Sequence, residues 1–267
     1  MQALYTHEDH AITAGDFLDA LRKTGIENGD TIFVHSDIKV FGKITIGDKA
    51  ELMRALVSVL EECVGPEGTV VMPAFSYSFC KGEVFDTASS RSTVGALTDF
   101  FRTEPGVGRS IHPIFSVGAW GAHRKDFMRT TKDSFGEGTV FDTLRQKDGK
   151  IVLFGTDFQA CTFLHYIEQM HEVPYRFMKT FEGTIVDGSA SYRDAYTYFV
   201  RPLDGTIEND FTVIEAPLRR RGLLREARVG NGVIFAVGAD DLYDEGMLIL
   251  DREPYFFVAQ SDMHSGL

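Results

Sequence analysis

Short apolar, β-branched runs that stop at polar or glycine-rich breaks, each followed by a segment of helical periodicity, constrain this chain more than any other feature. Thr31-Ile32-Phe33-Val34-His35 is such a run, and its end delivers His35 and Ser36 into a loop. Leu52, Leu56, Val59 and Leu60 then recur at helical spacing over about residues 48–63, with Gly65 beyond the end. Thr69-Val70-Val71-Met72 follows, and Pro73 stops it. Runs of this length and composition read as buried strands. The order continues with a helix over about 93–102 and strands over 114–120 and 151–154. This alternation predicts an α/β fold with a mostly parallel central sheet flanked by helices. Ligands of such sheets collect at the carboxyl ends of the strands, which gives His35 and Ser36 weight. Upstream, Thr13 to Asp16 reads as a helix start, with Phe17, Leu18 and Leu21 on one face.

After Pro174 the texture changes. Segments 181–186, 195–200, 224–229 and 233–237 sit around glycine-rich turns and predict antiparallel pairs, and 240–250 predicts a closing helix. With no repeat, linker or low-complexity tract, residues 1–267 read as one domain. Its α/β core covers 1–175 and its antiparallel portion 176–267.

Bulk properties mainly exclude. No apolar run approaches the roughly 18–20 residues of a membrane helix, and the first residues lack the basic start and apolar core of a signal peptide. Three cysteines, an odd number without metal-ligand spacing, fit reduced thiols in a cytoplasmic enzyme that holds no metal. A net charge of −12 argues against nucleic acid, which needs clustered Lys and Arg, and is compatible with a cationic amine. Neither a nucleotide phosphate loop nor a dinucleotide-type glycine pattern is present. A homodimer is compatible with this composition.

Two histidine settings carry the chemistry. His165 and Glu168 are three residues apart in Leu164-His165-Tyr166-Ile167-Glu168, so a helix makes them neighbours on one face. A neutral imidazole beside a carboxylate can take a proton from an amine or hydroxyl at pH 7. The other setting is the loop Arg109-Ser110-Ile111-His112-Pro113. An arginine fork with a hydroxyl suits phosphate oxygens, and equally suits a loop pinned by buried polar contacts. Arg219-Arg220-Arg221 reads as a solvated face, or as a partner for a diphosphate.

Beyond these residues the chain resembles the aminoglycoside 3-N-acetyltransferase family over about residues 12–260. The pieces that match come in the family's order: His35-Ser36, residues 65–73, Gly95-Ala96-Leu97, residues 105–113, Gly118-Ala119-Trp120-Gly121, residues 135–139, Val152 to Gly155, residues 162–168, and Val173-Pro174-Tyr175-Arg176. The resemblance implies acyl transfer from acyl-CoA to an amine with His165 as general base; Glu168 would orient the ring or hold the substrate ammonium, and direct attack needs no covalent intermediate. For such a donor, His35 and Ser36 at their strand end are expected to bond pantetheine amides or the thioester carbonyl, Arg109, Ser110 and His112 to grip a CoA phosphate, and Asp157, Tyr175 and Arg176 to contact the acceptor. Near the histidine the family commonly carries an Asp and an Asn, where this chain has Gln159 and Cys161, with Asp157 displaced. That departure puts the acceptor in question more than the reaction.

Two acceptors follow. One is a nucleotide-linked amino deoxysugar for surface polysaccharide biosynthesis, favoured because the stretch after Pro-Tyr-Arg has little acid beyond Asp187 and Asp194 and the lone tryptophan is Trp120. The alternative is the 3-amino group of an aminoglycoside, with antibiotic resistance as the outcome. A non-catalytic CoA- or sugar-binding protein is a third reading, and the His165–Glu168 pair counts against it.

Overall fold

The computed structural model describes residues 2–259. Met1 and residues 260–267, the ends of the 1–267 domain reading and of the resemblance, lie outside the described residues. The strands are β1 Ala3–His7, β2 His10–Thr13, β3 Thr31–Ser36, β4 Lys43–Ile44, β5 Thr69–Pro73, β6 Phe85–Asp86, β7 Gly108–Arg109, β8 Val117–Gly121, β9 Lys150–Phe154, β10 Phe177–Asp187, β11 Ala190–Val200, β12 Arg225–Val229 and β13 Gly232–Gly238. The helices are α1 Ala14–Lys23, α2 Lys49–Val64, α3 Ala96–Phe101, α4 Arg124–Phe127, α5 Val140–Gln146, α6 Phe163–His171, α7 Glu215–Arg221 and α8 Ala239–Leu250.

Local chemistry accounts for the main boundaries. Asp16 accepts from the Thr13 backbone N–H at 2.8 Å and closes the start of α1. Asp48 does the same for Ala50 at the head of α2. Gly155 turns the chain out of β9 at φ 75°, and a Cβ there would lie 2.4 Å from the Asp37 carbonyl oxygen.

The central sheet has seven strands in the order β12-β13-β9-β3-β5-β8-β7. Side chains alternate across it, as a sheet covered on both faces requires. Ile32, Val34, Val70, Met72, Val152 and Phe154 point into the core shared with α1 and α2. Phe33, Val71, Ile151 and Leu153 point the other way, into the core that holds α5, α6 and α8.

The α/β class stands, but the sheet is mixed. Only β9–β3 and β3–β5 are parallel pairings, while β5–β8, β8–β7, β13–β9 and β12–β13 are antiparallel. The physical reason is the shortness of the α-helix in the connection after β5. A parallel crossover needs a helix that runs back across the sheet, and six-residue α3 spans only about 9 Å. The chain instead stays at the carboxyl end of β5 and returns antiparallel. The antiparallel pairs expected after 175 are present and fall in two different sheets. The β12–β13 hairpin completes the central sheet, whereas the β10–β11 hairpin forms a small sheet with β6.

Candidate active site

Three mutually parallel strands, β9, β3 and β5, aim their carboxyl ends at one region. The first polar residues past β3 are its own last two, His35 and Ser36. The loop after β5 carries Phe75 and Tyr77. Beyond β9 the chain makes a short 3-10 turn at Phe158–Ala160 and enters α6, whose first turn bears His165. Together these residues wall a cavity of about 250 Å³. A second, of about 510 Å³, opens against the β10–β11 hairpin and the following loop, with Lys179, Phe181, Tyr198 and Arg201 in its wall. His165 and Tyr77 belong to both walls, so the cavities are two limbs of one cleft that meet at the histidine.

His165 Nδ1 lies 2.6 Å from Glu168 Oε2. With the carboxylate accepting there, Nδ1 carries the hydrogen and Nε2 keeps a free lone pair. Phe135 and Phe211 flank the ring at 5.3 Å and 4.8 Å. Glu168 is fully buried. Its Oε1 accepts from the Tyr175 hydroxyl at 2.7 Å and from Asn209 Nδ2 at 3.3 Å, and Arg176 Nε sits 2.9 Å from Oε2. Burial alone would raise the Glu168 carboxyl. Its bond to His165, the charges of His165 and Arg176 and the Tyr175 bond outweigh burial and hold it below the usual range. His165 is itself pushed down, first by burial and then by the Arg176 charge, against the pull of Glu168. A neutral ring with an ionised orienting carboxylate is a base ready at pH 7.

His35 and Ser36 stand in the wall of the smaller limb, where His35 Nε2 and Ser36 Oγ are buried with no partner among the described residues. Burial pushes His35 down to about 3, so it is neutral. An unpaired buried polar group costs about 1–3 kcal/mol, a cost that a ligand carrying amides and a carbonyl can offset.

The structure places three of the expected CoA contacts outside the walls of both limbs. Arg109 bonds inward to Ala74 O at 2.9 Å, Thr87 O at 3.1 Å, Ser116 Oγ at 3.1 Å and Ser90 O. Ser110 is buried, and its hydroxyl accepts from the Val117 N–H at 2.9 Å. His112 is buried too, with Nδ1 accepting from the Phe115 N–H at 2.9 Å. None of the three lines either limb. Arg109 clamps the loop after β5, whereas Ser110 and His112 fix the turn through residues 110–117 that bonds to it, and their polar groups are consumed in doing so.

The expected acceptor contacts also shift. Asp157 is exposed and caps the 3-10 turn, accepting from Gln159 N at 3.0 Å. It lines neither limb. Tyr175 and Arg176 are buried and hold Glu168, although Arg176 borders the larger limb. Of the basic run, Arg219 bonds Glu215 at 2.8 Å and also Glu226, Arg221 lies 3.8 Å from Glu245, and none of the three arginines lines either limb.

Sequence reasoning missed Tyr77, Phe135, Asn209 and Phe211. Tyr77 follows the end of a buried strand as His35 does, so the same rule points to it. Asn209 and Phe211 gave no local signal, because Gln159 fixes them from far along the chain. Its Nε2 donates to Asn209 O and its Oε1 accepts from Phe211 N, both at 3.0 Å.

No Asp or Glu stands in the wall of either limb. Arg176 is paired with Glu168, and Arg201 with Glu208 at 2.9 Å. Lys179 lies 4.9 Å from the Phe181 ring centre and has no carboxylate partner among the described residues. Among the described residues no cluster of His, Cys, Asp or Glu could hold a metal ion, and no helix is long and apolar enough to cross a membrane.

Comparison with known proteins adds kinship to this geometry. The family model for aminoglycoside 3-N-acetyltransferases matches residues 33–251. An aminoglycoside N(3)-acetyltransferase IV from Salmonella sp. is 27% identical, with 91% of this chain and 89% of that protein covered. The crystal structure of the aminoglycoside acetyltransferase AAC(3)-IVa apoenzyme superposes with a TM-score of 0.78 at 25% identity, covering 96% of this chain and 94% of that one. A structure of AAC-IIIb with CoASH shares the fold, with a TM-score of 0.79 at 24% identity over 93% of this chain and 98% of that one.

Proposed function

The chain belongs to the aminoglycoside 3-N-acetyltransferase family, and we propose that its cleft transfers an acyl group from acyl-CoA to a primary amine of an aminoglycoside-type amino sugar. It is a CoA-dependent N-acyltransferase. One observation carries the reading at the level of chemistry: the His165–Glu168 pair, ring and carboxylate 2.6 Å apart, at the meeting point of two limbs. Two limbs accommodate two substrates at once, and a lone pair at their junction accepts the amine proton as the new bond forms. His35 Nε2 and Ser36 Oγ supply polar contacts to the acyl-CoA arm in the smaller limb, which leaves the larger limb to the acceptor. Acyl-CoA supplies the activated carbonyl. The residues of this chain orient the carbonyl, hold the base neutral and exclude alternative nucleophiles. Cys161 faces the smaller limb but is buried, and burial pushes its thiol up to about 12 against the Leu164 and Phe163 backbone bonds. So high a value makes thiolate rare at neutral pH, and transfer is direct.

The acceptor class rests on the relatives, which are named for acetylating aminoglycosides. The nucleotide-linked amino sugar has no support among them, and none of Arg219, Arg220 and Arg221 lines either limb. One observation still favours an acceptor amine that also carries an acid group: the walls hold no carboxylate and present Lys179. The test is CoA-thiol release from acetyl-CoA with gentamicin, with a neutral amino sugar and with a nucleotide-linked amino sugar. Release that requires gentamicin supports the aminoglycoside reading. A higher kcat/KM with the anionic amine moves the acceptor to the second reading, and no release with any amine contradicts the function.

A further inference from the structure

Among the described non-glycine residues with left-handed backbone torsions, Tyr77 is the only aromatic one, at φ 54°. The others are Glu8, Asp9, Asp148 and Glu172. Short polar side chains tolerate that region, whereas a bulky ring there costs about 1–3 kcal/mol and persists only where its surroundings force it. The surroundings here do. Ser78 N donates to Pro113 O at 2.9 Å, Tyr77 N to Ile114 O at 3.4 Å, and Ala74 N to Ser116 O at 2.8 Å. The Ala74 carbonyl in turn accepts from Arg109 and from the Ser116 hydroxyl. The ring is packed edge-on by Phe75 at 6.3 Å and Phe115 at 5.3 Å. So much fixation holds Tyr77, whose hydroxyl has no protein hydrogen-bond partner among the described residues, in the wall that both limbs share with His165.

Resting on the acyltransferase reading, we propose that Tyr77 is a catalytic residue whose hydroxyl donates a hydrogen bond to the thioester oxygen as the amine adds. The amine lone pair forms the C–N bond at the carbonyl carbon, and the carbonyl π pair moves onto oxygen. That pair then returns, the C–S bond breaks, and CoA leaves as its thiolate. The amine proton goes to His165 Nε2. The developing oxyanion is the one charge in this sequence that neither His165 nor Glu168 can meet, and a preorganised phenol is an established kind of donor for it. Burial, with smaller contributions from Tyr198 and Cys80, raises the phenol well above its ordinary value, so it remains a protonated donor throughout the working range. The thiolate needs no such help, since a thiol near pKa 8.5 leaves readily as an anion.

The clamp built by Arg109, with the turn that Ser110 and His112 fix, then has a purpose in the chemistry: it holds the strained loop that carries Tyr77. Tyr77→Phe keeps the ring, its packing and the backbone, and removes the donor alone. We expect kcat to fall by about 10²–10³-fold, with KM for acyl-CoA and the thermal midpoint unchanged. A dithioester donor, whose C=S is a weaker acceptor, should narrow the gap between wild type and variant. A Tyr77→Phe rate within about threefold of wild type, or an equal gap with both donors, overturns the proposal. Failure of wild type to release CoA thiol with any amine sinks the acyltransferase reading itself, and Tyr77's role with it. Equal release by both proteins sinks only Tyr77.

Discussion

At the scale of single residues, activity depends on how the His165 pKa is set. Burial and the Arg176 charge lower it, whereas the Glu168 bond and charge raise it. Activity needs the neutral ring, so the acid limb of kcat/KM follows this pKa and falls below 6.5, the ordinary histidine value. Two substitutions should move that limb in opposite directions. Glu168→Gln removes the raising influence and shifts it to lower pH. Arg176→Met removes a lowering one and shifts it higher, while the thermal midpoint drops because Glu168 is left as an unpaired buried charge, worth about 3–5 kcal/mol. Profiles of both variants against wild type read this directly. Shifts of the same sign would show that the acid limb does not report His165.

The loop Arg109 to Pro113 and the loop Ala74 to Ser78 are held as one unit through the Ala74 carbonyl, where Arg109 and Ser116 meet. Arg109→Lys cannot reproduce the guanidinium's set of donors. It should lower both the thermal midpoint and kcat, and leave the salt dependence of KM for acyl-CoA as it is. A phosphate contact would lose that salt dependence, so a flattened salt response would restore the phosphate role. This segment also shows what a sequence can and cannot tell. Arginine, serine and histidine before a proline look alike whether they face phosphate or carbonyl groups of their own chain, because the difference lies in Ala74, Thr87 and Ser90, far away in the sequence. His165 and Glu168 were legible because their relation is local, one helical turn. His35 and Ser36 were legible from a buried strand's polar end. Asn209 and Phe211 were not, since Gln159 sets them across the fold. Strand positions were clear from apolar runs, but the direction of β8 was not, because it depends on how far α3 reaches.

Over the whole molecule, buried neutral histidines couple the fold to pH. Burial pushes His112 down to about 4, against its contact with the Asp133 carbonyl, and pushes His35 down to about 3. Below 6.5 the unfolded chain binds protons at these positions and the folded chain does not, so their stabilisation is complete above 6.5 and is lost as the pH falls towards 4. His112 alone should remove about 3 kcal/mol by pH 4, read as a falling urea midpoint. A midpoint that stays flat from pH 6.5 to 4 would contradict the burial of both rings. The cleft as a whole predicts a ternary complex. Initial rates with both substrates varied should give intersecting double-reciprocal lines, and parallel lines with an acyl group on Cys161 would overturn direct transfer. All three scales rest on His165 acting as the base, and His165→Asn measures that claim. Calorimetric CoA binding should stay within a few-fold of wild type while turnover with a saturating amine falls by about a hundredfold or more. Equal losses of CoA affinity and turnover, or turnover left near wild type, would contradict it.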